Sequence, residues 1–222
     1  REANQGLIMI KIGDDGKKAS AIELNCETDF VARNDDFRNS AEAFLNAAFK
    51  AETGSIADLL QEEVDGLSIE KQLDEMVGKI GEKIELSRVV FVETDGELVK
   101  YIHPGNQLGV IAEFESEVDD KEVANDVAMQ IAAMNPLAVT REGVDTSVVE
   151  KELEIAKEQL LNEGKPEEIA EKAAKGKLRR FYEERVLLEQ KFVKDNSISV
   201  KEYLEQNDTP LVKTFHRLQL GE

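Results

Sequence analysis

LIMIKIGDDGKKASAIELNCE, residues 7–27, contains two strand-like apolar runs separated by a turn signal. The runs are residues 7–13 and 20–27, and the Asp14-Asp15-Gly16 cluster between them favours a tight turn. Together they predict a β-hairpin. The chain therefore opens with antiparallel β-structure, and the segments that follow decide what covers it.

The next segments predict helices and then a return to a strand. Apolar residues recur at helical spacing at Phe37, Ala41, Phe44, Leu45, Ala48 and Phe49. Gly54 ends this helix, Ser55–Gln61 predicts a short one, and Ser68 predicts the cap of another. The stripe of that helix is Ile69, Leu73, Met76, Val77 and Ile80. Residues 84–94 have strand composition, so residues 1–96 form one subdomain of two strands, helices and one strand.

A second unit begins with the same order of elements. Residues 97–104 and 107–117 are strand-like. Asp119 with Glu122 predicts a capping box for the helix that follows, and Asn135-Pro136 ends that helix. No third strand comes next.

A long charged segment interrupts this second unit instead. Ser147 with Glu150 predicts the cap of a long helix, whose apolar residues have the spacing of a helix-pairing seam. Gly164-Lys165-Pro166 breaks that helix, and Pro166 fits the first turn of a returning helix. Residues 146–193 are therefore predicted to form an antiparallel helical hairpin inserted in the second unit.

The end of the chain completes the second unit. Ser199 with Glu202 predicts a capped short helix, and residues 211–220 supply the missing strand. The second subdomain therefore comprises residues 97–145 and 194–222. The element order predicts an α+β fold with two small subdomains and a hairpin.

Composition narrows the classes of partner. Lys and Arg total 28 against 47 Asp and Glu, for a net charge of −19. Such a charge repels phosphate backbones and anionic lipid, so neither direct nucleic-acid binding nor membrane binding is expected. The single cysteine, Cys26, rules out an intrachain disulfide framework and fits a reducing cytosol, so we expect a cytoplasmic protein.

The residues needed for most catalytic sites are scarce. The chain has two histidines, His103 and His216, no glycine-rich loop ending in Lys-Ser or Lys-Thr, and no His-Glu-x-x-His motif. Nucleophile, base and metal-ligand sets are hard to assemble from so few parts. We therefore expect no catalytic residues, no metal site and no cofactor.

Five blocks of the sequence resemble the elongation factor Ts family. They are TDFVARNDDF at residues 28–37, KIGEKIELSRV at 79–89, YIHPGNQLGVIAEF at 101–114, VAMQIAAMNP at 127–136 and GKPEEIAEKAAKGKLRRFYEE at 164–184. The resemblance spans nearly the whole chain in collinear order. It implies a guanine-nucleotide exchange factor for elongation factor Tu, the GTPase that carries aminoacyl-tRNA to the ribosome. It also implies a three-stranded antiparallel sheet in each subdomain and a projecting coiled-coil hairpin.

The resemblance assigns partner-binding residues. In the family, the Asp-Phe pair of the TDFV motif enters the partner's GTPase domain near its Mg²⁺ and phosphate site, and here the pair is Asp29 and Phe30. Ile80 and Gly81 of the KIGE block match positions that contact the partner. His103 matches a contact histidine, although Pro104 after it departs from the family pattern.

The resemblance also leaves part of the family unmatched. The family has an N-terminal three-helix module that docks on the partner, and no stretch of this chain matches it. The charged start at Arg1, without Met, suggests that an upstream part was removed. We therefore expect weaker partner binding from this chain.

Taken without the resemblance, each of these residues has a structural alternative. Phe30 could plug the underside of its own helix, and Ile80 could pack in the core. Asp29 could be a helix-approach or turn residue. Gly81 could simply end a helix, and His103 could be a structural or solvated histidine. Cys26 is expected to be a small buried strand residue.

Two other function classes compete with nucleotide exchange. One is a noncatalytic scaffold that binds a protein through the helical hairpin, for which Phe30 would be dispensable. The other is an acidic hydrolase, which would need a tight pair of carboxylates that the sequence does not show. Whether the chain forms a homodimer through its hairpin is left open by the sequence.

Overall fold

A computed structural model describes residues 2–222 and shows an α+β fold. The strands are β1 (Gln5–Ile12), β2 (Lys18–Cys26), β3 (Glu63–Val64), β4 (Leu67–Ser68), β5 (Glu85–Glu93), β6 (Glu97–Ile102), β7 (Leu108–Phe114), β8 (Lys191–Phe192), β9 (Asp195–Ser199) and β10 (Val212–Gln219). The α-helices are α1 (Asp29–Ala32), α2 (Asp35–Ala51), α3 (Ile56–Gln61), α4 (Ile69–Ile80), α5 (Lys121–Met134), α6 (Thr146–Asn162), α7 (Glu167–Arg185) and α8 (Val200–Gln206). Short 3₁₀ turns lie at Arg141–Gly143 and Leu187–Glu189.

The chain divides into two compact units. One contains the residues up to Val118 together with Phe215–Glu222, and the other is Asp119–Thr214. The subdomain boundaries predicted at residues 96, 145 and 193 stay a prediction. Between residues 2 and 222, none of the helices has the length and apolar character needed to span a membrane.

The first sheet has the strand order β1-β2-β5. β1 and β2 form the predicted antiparallel hairpin, closed by a 2.9 Å hydrogen bond from the Gly13 N–H to the Lys18 carbonyl. β5 pairs antiparallel with the other edge of β2. The predicted apolar face of α2 is confirmed for five of its six residues, because Phe37, Ala41, Phe44, Leu45 and Ala48 are buried in the core cluster that includes this sheet. Phe49, the sixth, is half-buried.

Helix α4 follows its predicted stripe with one departure. Ile69 is fully buried, and Leu73, Met76 and Ile80 pack partly buried against the same core cluster. Val77, which was predicted to belong to the stripe, is exposed instead. Val77 lies about 100° around the helix from Met76, which places it at the edge of the stripe and not at its centre.

The second sheet has the order β10-β7-β6, with β6 and β7 paired antiparallel. β10 lies within the predicted last strand, residues 211–220, so the sheet has the expected third strand. An apolar cluster joins residues from both sheets of the first unit. Its buried members are Ile8, Ile10, Ala19, Ala21, Val92, Leu98, Ile111 and Leu218.

Helices α6 and α7 pack against each other in the second unit. Their buried contact residues are Ala156, Leu160, Ala170 and Ala174. Lys157 forms ion pairs with Glu167 and Glu171, which places the end of one helix beside the start of the other. The helices therefore run in opposite directions, and coiled-coil packing between them stays a prediction.

Two predicted helix caps are wrong by one or two residues. Asp120, and not Asp119, caps α5, since its carboxylate accepts from the N–H groups of Glu122 and Val123. Asp145, and not Ser147, caps α6, accepting from the Ser147 N–H at 2.8 Å. In both places residues that can cap a helix follow one another. At α6 the carboxylate of Asp145 also has more acceptor capacity than the hydroxyl of Ser147.

The other predicted helix starts agree better with the structure. The capping box of Ser199 and Glu202 is confirmed, and Ser68 caps α4 as predicted. Pro166 lies one position before the first turn of α7, at its N-cap.

Two small ribbons were missed by the sequence analysis. β3 and β4 flank Asp65-Gly66, both with positive φ, and β8 pairs with β9 inside and just after the predicted hairpin segment. Strands of two residues are too short to show the alternation that marks a strand.

Candidate functional site

Phe30 lies in a four-residue helix and not in an irregular loop. It belongs to α1, which Thr28 caps by accepting a 3.4 Å hydrogen bond from the Val31 N–H. Its side chain is 82% exposed, the largest fraction among the exposed large apolar side chains of residues 2–222. The alternative in which Phe30 plugs the underside of its own helix is therefore wrong.

Glu82 holds the backbone that carries Phe30. One carboxylate oxygen accepts from the N–H groups of Glu27 and Thr28 at 3.0 and 3.1 Å, and the other accepts from the Thr28 hydroxyl at 2.7 Å. In return, the Glu27 carboxylate accepts from the Lys83 N–H at 2.8 Å. The TDFV and KIGE segments are therefore hydrogen-bonded to each other.

A surface groove of about 400 Å³ lies between α1, the start of α2 and the end of α4. It is lined by Phe30, Val31, Asn34, Asp36, Phe37, Ser40, Met76, Lys79 and Ile80. Lys79 and Asp36 form an exposed ion pair of 3.3 Å at this groove. Two predicted site residues, Phe30 and Ile80, thus line the same groove.

Ile80 and Gly81 lie where α4 ends. Ile80 is half-buried, since it packs against the core cluster and also lines the groove. Gly81 ends the helix in the left-handed conformation with φ of 78°, and its N–H donates to the Val77 carbonyl at 2.9 Å. The structural alternatives are therefore confirmed: Ile80 packs against the core and Gly81 ends a helix. Contact of these two residues with a partner stays a prediction.

Asp29 precedes Phe30 in the first turn of α1. Its carboxylate forms a 3.2 Å ion pair with Arg33 one turn later, and both side chains are largely exposed. Surface ion pairs of this kind contribute little to stability, so this carboxylate can exchange partners at little cost.

His103 does not line the groove. It is exposed on the turn between β6 and β7, where its Nδ1 lies 3.0 Å from the Tyr101 hydroxyl. The same turn touches α2 through a long 3.5 Å hydrogen bond from Arg38 to Asn106. Helix α1 (Asp29–Ala32) is called the Phe30 turn below. Of the five predicted site residues, His103 is the one that the structure leaves apart from the Phe30 turn and the end of α4.

Cys26 lies beneath the Phe30 turn and is confirmed as a buried strand residue. Burial raises the pKa of its thiol to about 11, and the nearby Glu82 carboxylate adds to the shift. The thiol donates a 3.2 Å hydrogen bond to the Thr28 carbonyl. A thiol that stays protonated at neutral pH is a poor nucleophile.

The sequence analysis missed the role of Glu82, although the KIGE block was one of its signals. The signal available was a carboxylate next to a glycine, and this signal does not indicate which distant backbone groups the carboxylate contacts. Only the folded chain brings residues 28 and 82 together.

Comparison with known proteins agrees with the resemblance. The family model described as Elongation factor TS matches residues 27–222. The chain is 42% identical to elongation factor Ts of Amoebophilus asiaticus, with all of this chain and 80% of the relative aligned. It is 41% identical to the elongation factor Ts proteins of Aquifex aeolicus and Clostridioides difficile, with all of this chain and 80% and 76% of those relatives aligned. This chain therefore belongs to the elongation factor Ts family.

Proposed function

We propose that this chain promotes GDP release from elongation factor Tu by placing Asp29 and Phe30 beside the Mg²⁺ and phosphate site of that GTPase. The family implies the coarser part of this statement, a nucleotide exchange factor that acts in translation by binding its partner and not as a catalytic enzyme. The roles of Asp29 and Phe30 are the part that we add. Translation elongation would place this activity in the cytoplasm.

The observation that carries the proposal is the presentation of Phe30. An 82% exposed phenylalanine gains nothing from its own fold, and its backbone is already held by Thr28 and Glu82. Aromatic side chains that enter a pocket on a partner often carry much of the binding energy. A fixed backbone also lowers the entropy lost on binding.

The physical basis of exchange is differential affinity. If Phe30 fits the nucleotide-free partner and strains the Mg²⁺ and phosphate contacts of the GDP-bound one, GDP and this chain each weaken the binding of the other. Full burial of one phenylalanine is worth about 1.5–3 kcal/mol. Only the part of this energy that is lost in the GDP-bound complex contributes to the coupling, which is typically about 1–3 kcal/mol between two ligands of one protein.

The remaining predicted contacts follow from the same surface. A partner that covers Phe30 can reach Ile80 across the groove and the open side of Gly81, where an added Cβ would meet no atom within 4 Å. His103 would need a partner surface that extends to the β6–β7 turn. The net charge of −19 supports binding to protein and not to nucleic acid, and a homodimer stays untested.

The helix pair supports an alternative function as a noncatalytic scaffold. Ile169 on α7 is 53% exposed, so the α6–α7 pair also presents an apolar side chain to a partner. A scaffold of this kind would depend on Ile169 and would tolerate loss of Phe30.

Stopped-flow release of fluorescent GDP from elongation factor Tu tests both functions. The proteins compared are the wild-type chain, Phe30→Ala and Ile169→Ala, each at a concentration that keeps binding below saturation. We expect Phe30→Ala to slow release by about 30-fold, since truncation of an interface anchor costs about 2 kcal/mol. Ile169→Ala is the control and should stay within about twofold of wild type.

Three other results would change the proposal. If both variants release GDP as fast as the wild type, exchange stands and the role of Phe30 is wrong. If Ile169→Ala slows release and Phe30→Ala does not, the scaffold function gains support. If the wild-type chain does not accelerate release at all, the exchange function itself fails for this chain.

A further inference from the structure

We propose that Glu82 is a positioning residue for nucleotide exchange, which acts by holding the turn that presents Phe30. This inference rests on the exchange function proposed above. Glu82 is not one of the residues expected to touch the partner. Its effect on exchange is therefore expected to pass through Phe30.

The geometry of the carboxylate supports this role. Both oxygens are used, because one accepts from two backbone N–H groups and the other accepts from the Thr28 hydroxyl. Residues 28 and 82 are 54 positions apart in sequence, so these bonds tie two separate segments together. The return bond from Lys83 to Glu27 makes the connection reciprocal.

The Thr28 hydroxyl links Glu82 to the helix that contains Phe30. It donates to Glu82 and accepts from the Val31 N–H, although the second bond is long at 3.4 Å. Loss of the carboxylate would free this hydroxyl to rotate away from Val31. Phe30 lies within the same turn and its exposed ring has few contacts that could hold it in place.

Other contacts should keep the fold intact when Glu82 is replaced. Ala32 is buried, Val31 packs against the core cluster, and the Cys26 thiol donates to the Thr28 carbonyl. Removal of Glu82 should therefore loosen the turn without unfolding the unit. This makes the effect on Phe30 measurable by itself.

Amide hydrogen exchange of the free chain, measured by NMR, tests the structural half of the inference. In Glu82→Ala, the amides of Glu27 and Thr28 should exchange about tenfold faster or more, because hydrogen bonds to charged acceptors are among the stronger ones. Glu85→Ala is the matched control, since Glu85 is exposed and pairs only with Lys83 in the ion pairs of this region. Unchanged protection in Glu82→Ala would overturn the inference without involving any partner.

GDP release, measured with the wild-type chain and with Phe30→Ala as starting proteins, tests whether Glu82 acts on exchange through Phe30. Glu82→Ala should slow release by about tenfold in the wild-type background and by less than about twofold in the Phe30→Ala background, because residues that act as a unit are not additive. Equal slowing in both backgrounds would show that Glu82 acts by another route and would overturn the inference.

The conservative variant Glu82→Gln tests whether Glu82 acts by positioning Phe30 or through its negative charge. Glu82→Gln keeps an oxygen that can accept from the two backbone N–H groups, so it should keep release within about threefold of wild type. If Glu82→Gln is as slow as Glu82→Ala although its Glu27 and Thr28 amides keep the wild-type protection, the negative charge itself acts on the partner, which contradicts a positioning role.

The outcomes also separate this inference from the proposal on which it rests. If Phe30→Ala slows release and Glu82→Ala does not, only the inference about Glu82 fails. If Phe30→Ala has no effect, the proposed role of Phe30 fails, and the role of Glu82 in exchange fails with it.

Discussion

The Phe30 turn and the α6–α7 helix pair both present a large apolar side chain to solvent, but they hold it differently. The turn is four residues long and is fixed by a carboxylate from a distant segment. The helix pair consists of helices of 17 and 19 residues, and its buried contact surface is made mostly of alanines around Leu160. The two places therefore differ in how far the apolar side chain is exposed and in which contacts hold its backbone.

This difference teaches how to rank exposed apolar residues. An exposed side chain on a fixed backbone can bind with little loss of conformational entropy. Phe30 ranks above Ile169 as an anchor because it is more exposed and because Glu82 and Thr28 hold its backbone. Each prediction below tests one side of this comparison.

The largest effect on stability is expected in the buried contacts between α6 and α7, which are called the seam here. Leu160→Ala should lower the free energy of local unfolding of α6 and α7 by about 2–5 kcal/mol, because it removes the one large side chain among their buried contacts. Amide hydrogen exchange of the two helices measures this change. Leu161→Ala is the control, since the neighbouring side chain is 41% exposed and its truncation should cost less than about 0.5 kcal/mol. Equal losses in both variants would show that the seam is not where the pair is held.

A smaller effect is expected where α4 ends beside the turn. Gly81→Ala should destabilise the chain by about 1 kcal/mol, because alanine is strained at a φ of 78°. Gly78→Ala lies inside the same helix and should instead stabilise it by about 1 kcal/mol. Thermal unfolding of the two variants measures these opposite signs.

The same pair of variants also tests partner contact at Gly81. If Gly81 lies against elongation factor Tu, Gly81→Ala should slow GDP release by more than its loss of stability explains, and Gly78→Ala should not. Normal release with Gly81→Ala would remove Gly81 from the proposed interface.

The smallest effect is a pH dependence at the cap of α6. The Ser147 hydroxyl and N–H donate to Asp145 and lower the pKa of its carboxyl below the ordinary value of 3.8. A lowered pKa in the folded chain means that the cap contributes fully above that ordinary value and is lost as pH falls through the lowered pKa. The protection of the Ser147 amide should therefore decrease in acid.

Asp145→Asn provides the control for this pH dependence. Asparagine also caps helices but does not titrate, so its Ser147 amide should keep its protection as the pH falls below about 4. The same acid loss in both proteins would show that another group controls this end of the helix. The cap of α1 is Thr28, whose hydroxyl does not titrate in this range.

Much of the fold could be predicted from the sequence because its elements follow simple periods. The β1–β2 hairpin comes from two apolar runs around a turn cluster, and the buried face of α2 comes from helical spacing; both are local properties. The caps at Asp120 and Asp145 were missed because each lies beside other residues that can cap a helix, Asp119 in one case and Thr146 and Ser147 in the other. The candidate site was less predictable.

The contacts at the candidate site could not be predicted because the residues that form them are far apart in the sequence. TDFV and KIGE were both noticed, but nothing local indicates that Glu82 bonds to Thr28 or that Phe30 and Ile80 line one groove. The exposure of Phe30 also had no local signal, since a phenylalanine near a helix start is more often buried. Contacts across 50 residues depend on how the whole unit packs.

The most direct test of the central claim measures the coupling between GDP and this chain. Isothermal titration calorimetry would give the dissociation constants of the wild-type chain and of Phe30→Ala for nucleotide-free and for GDP-saturated elongation factor Tu. We expect the wild-type chain to bind the nucleotide-free form at least about tenfold more tightly, and Phe30→Ala to reduce that ratio by about fivefold or more. If Phe30→Ala weakens both complexes by the same factor, Phe30 is only an anchor, and the claim that it drives GDP release is contradicted.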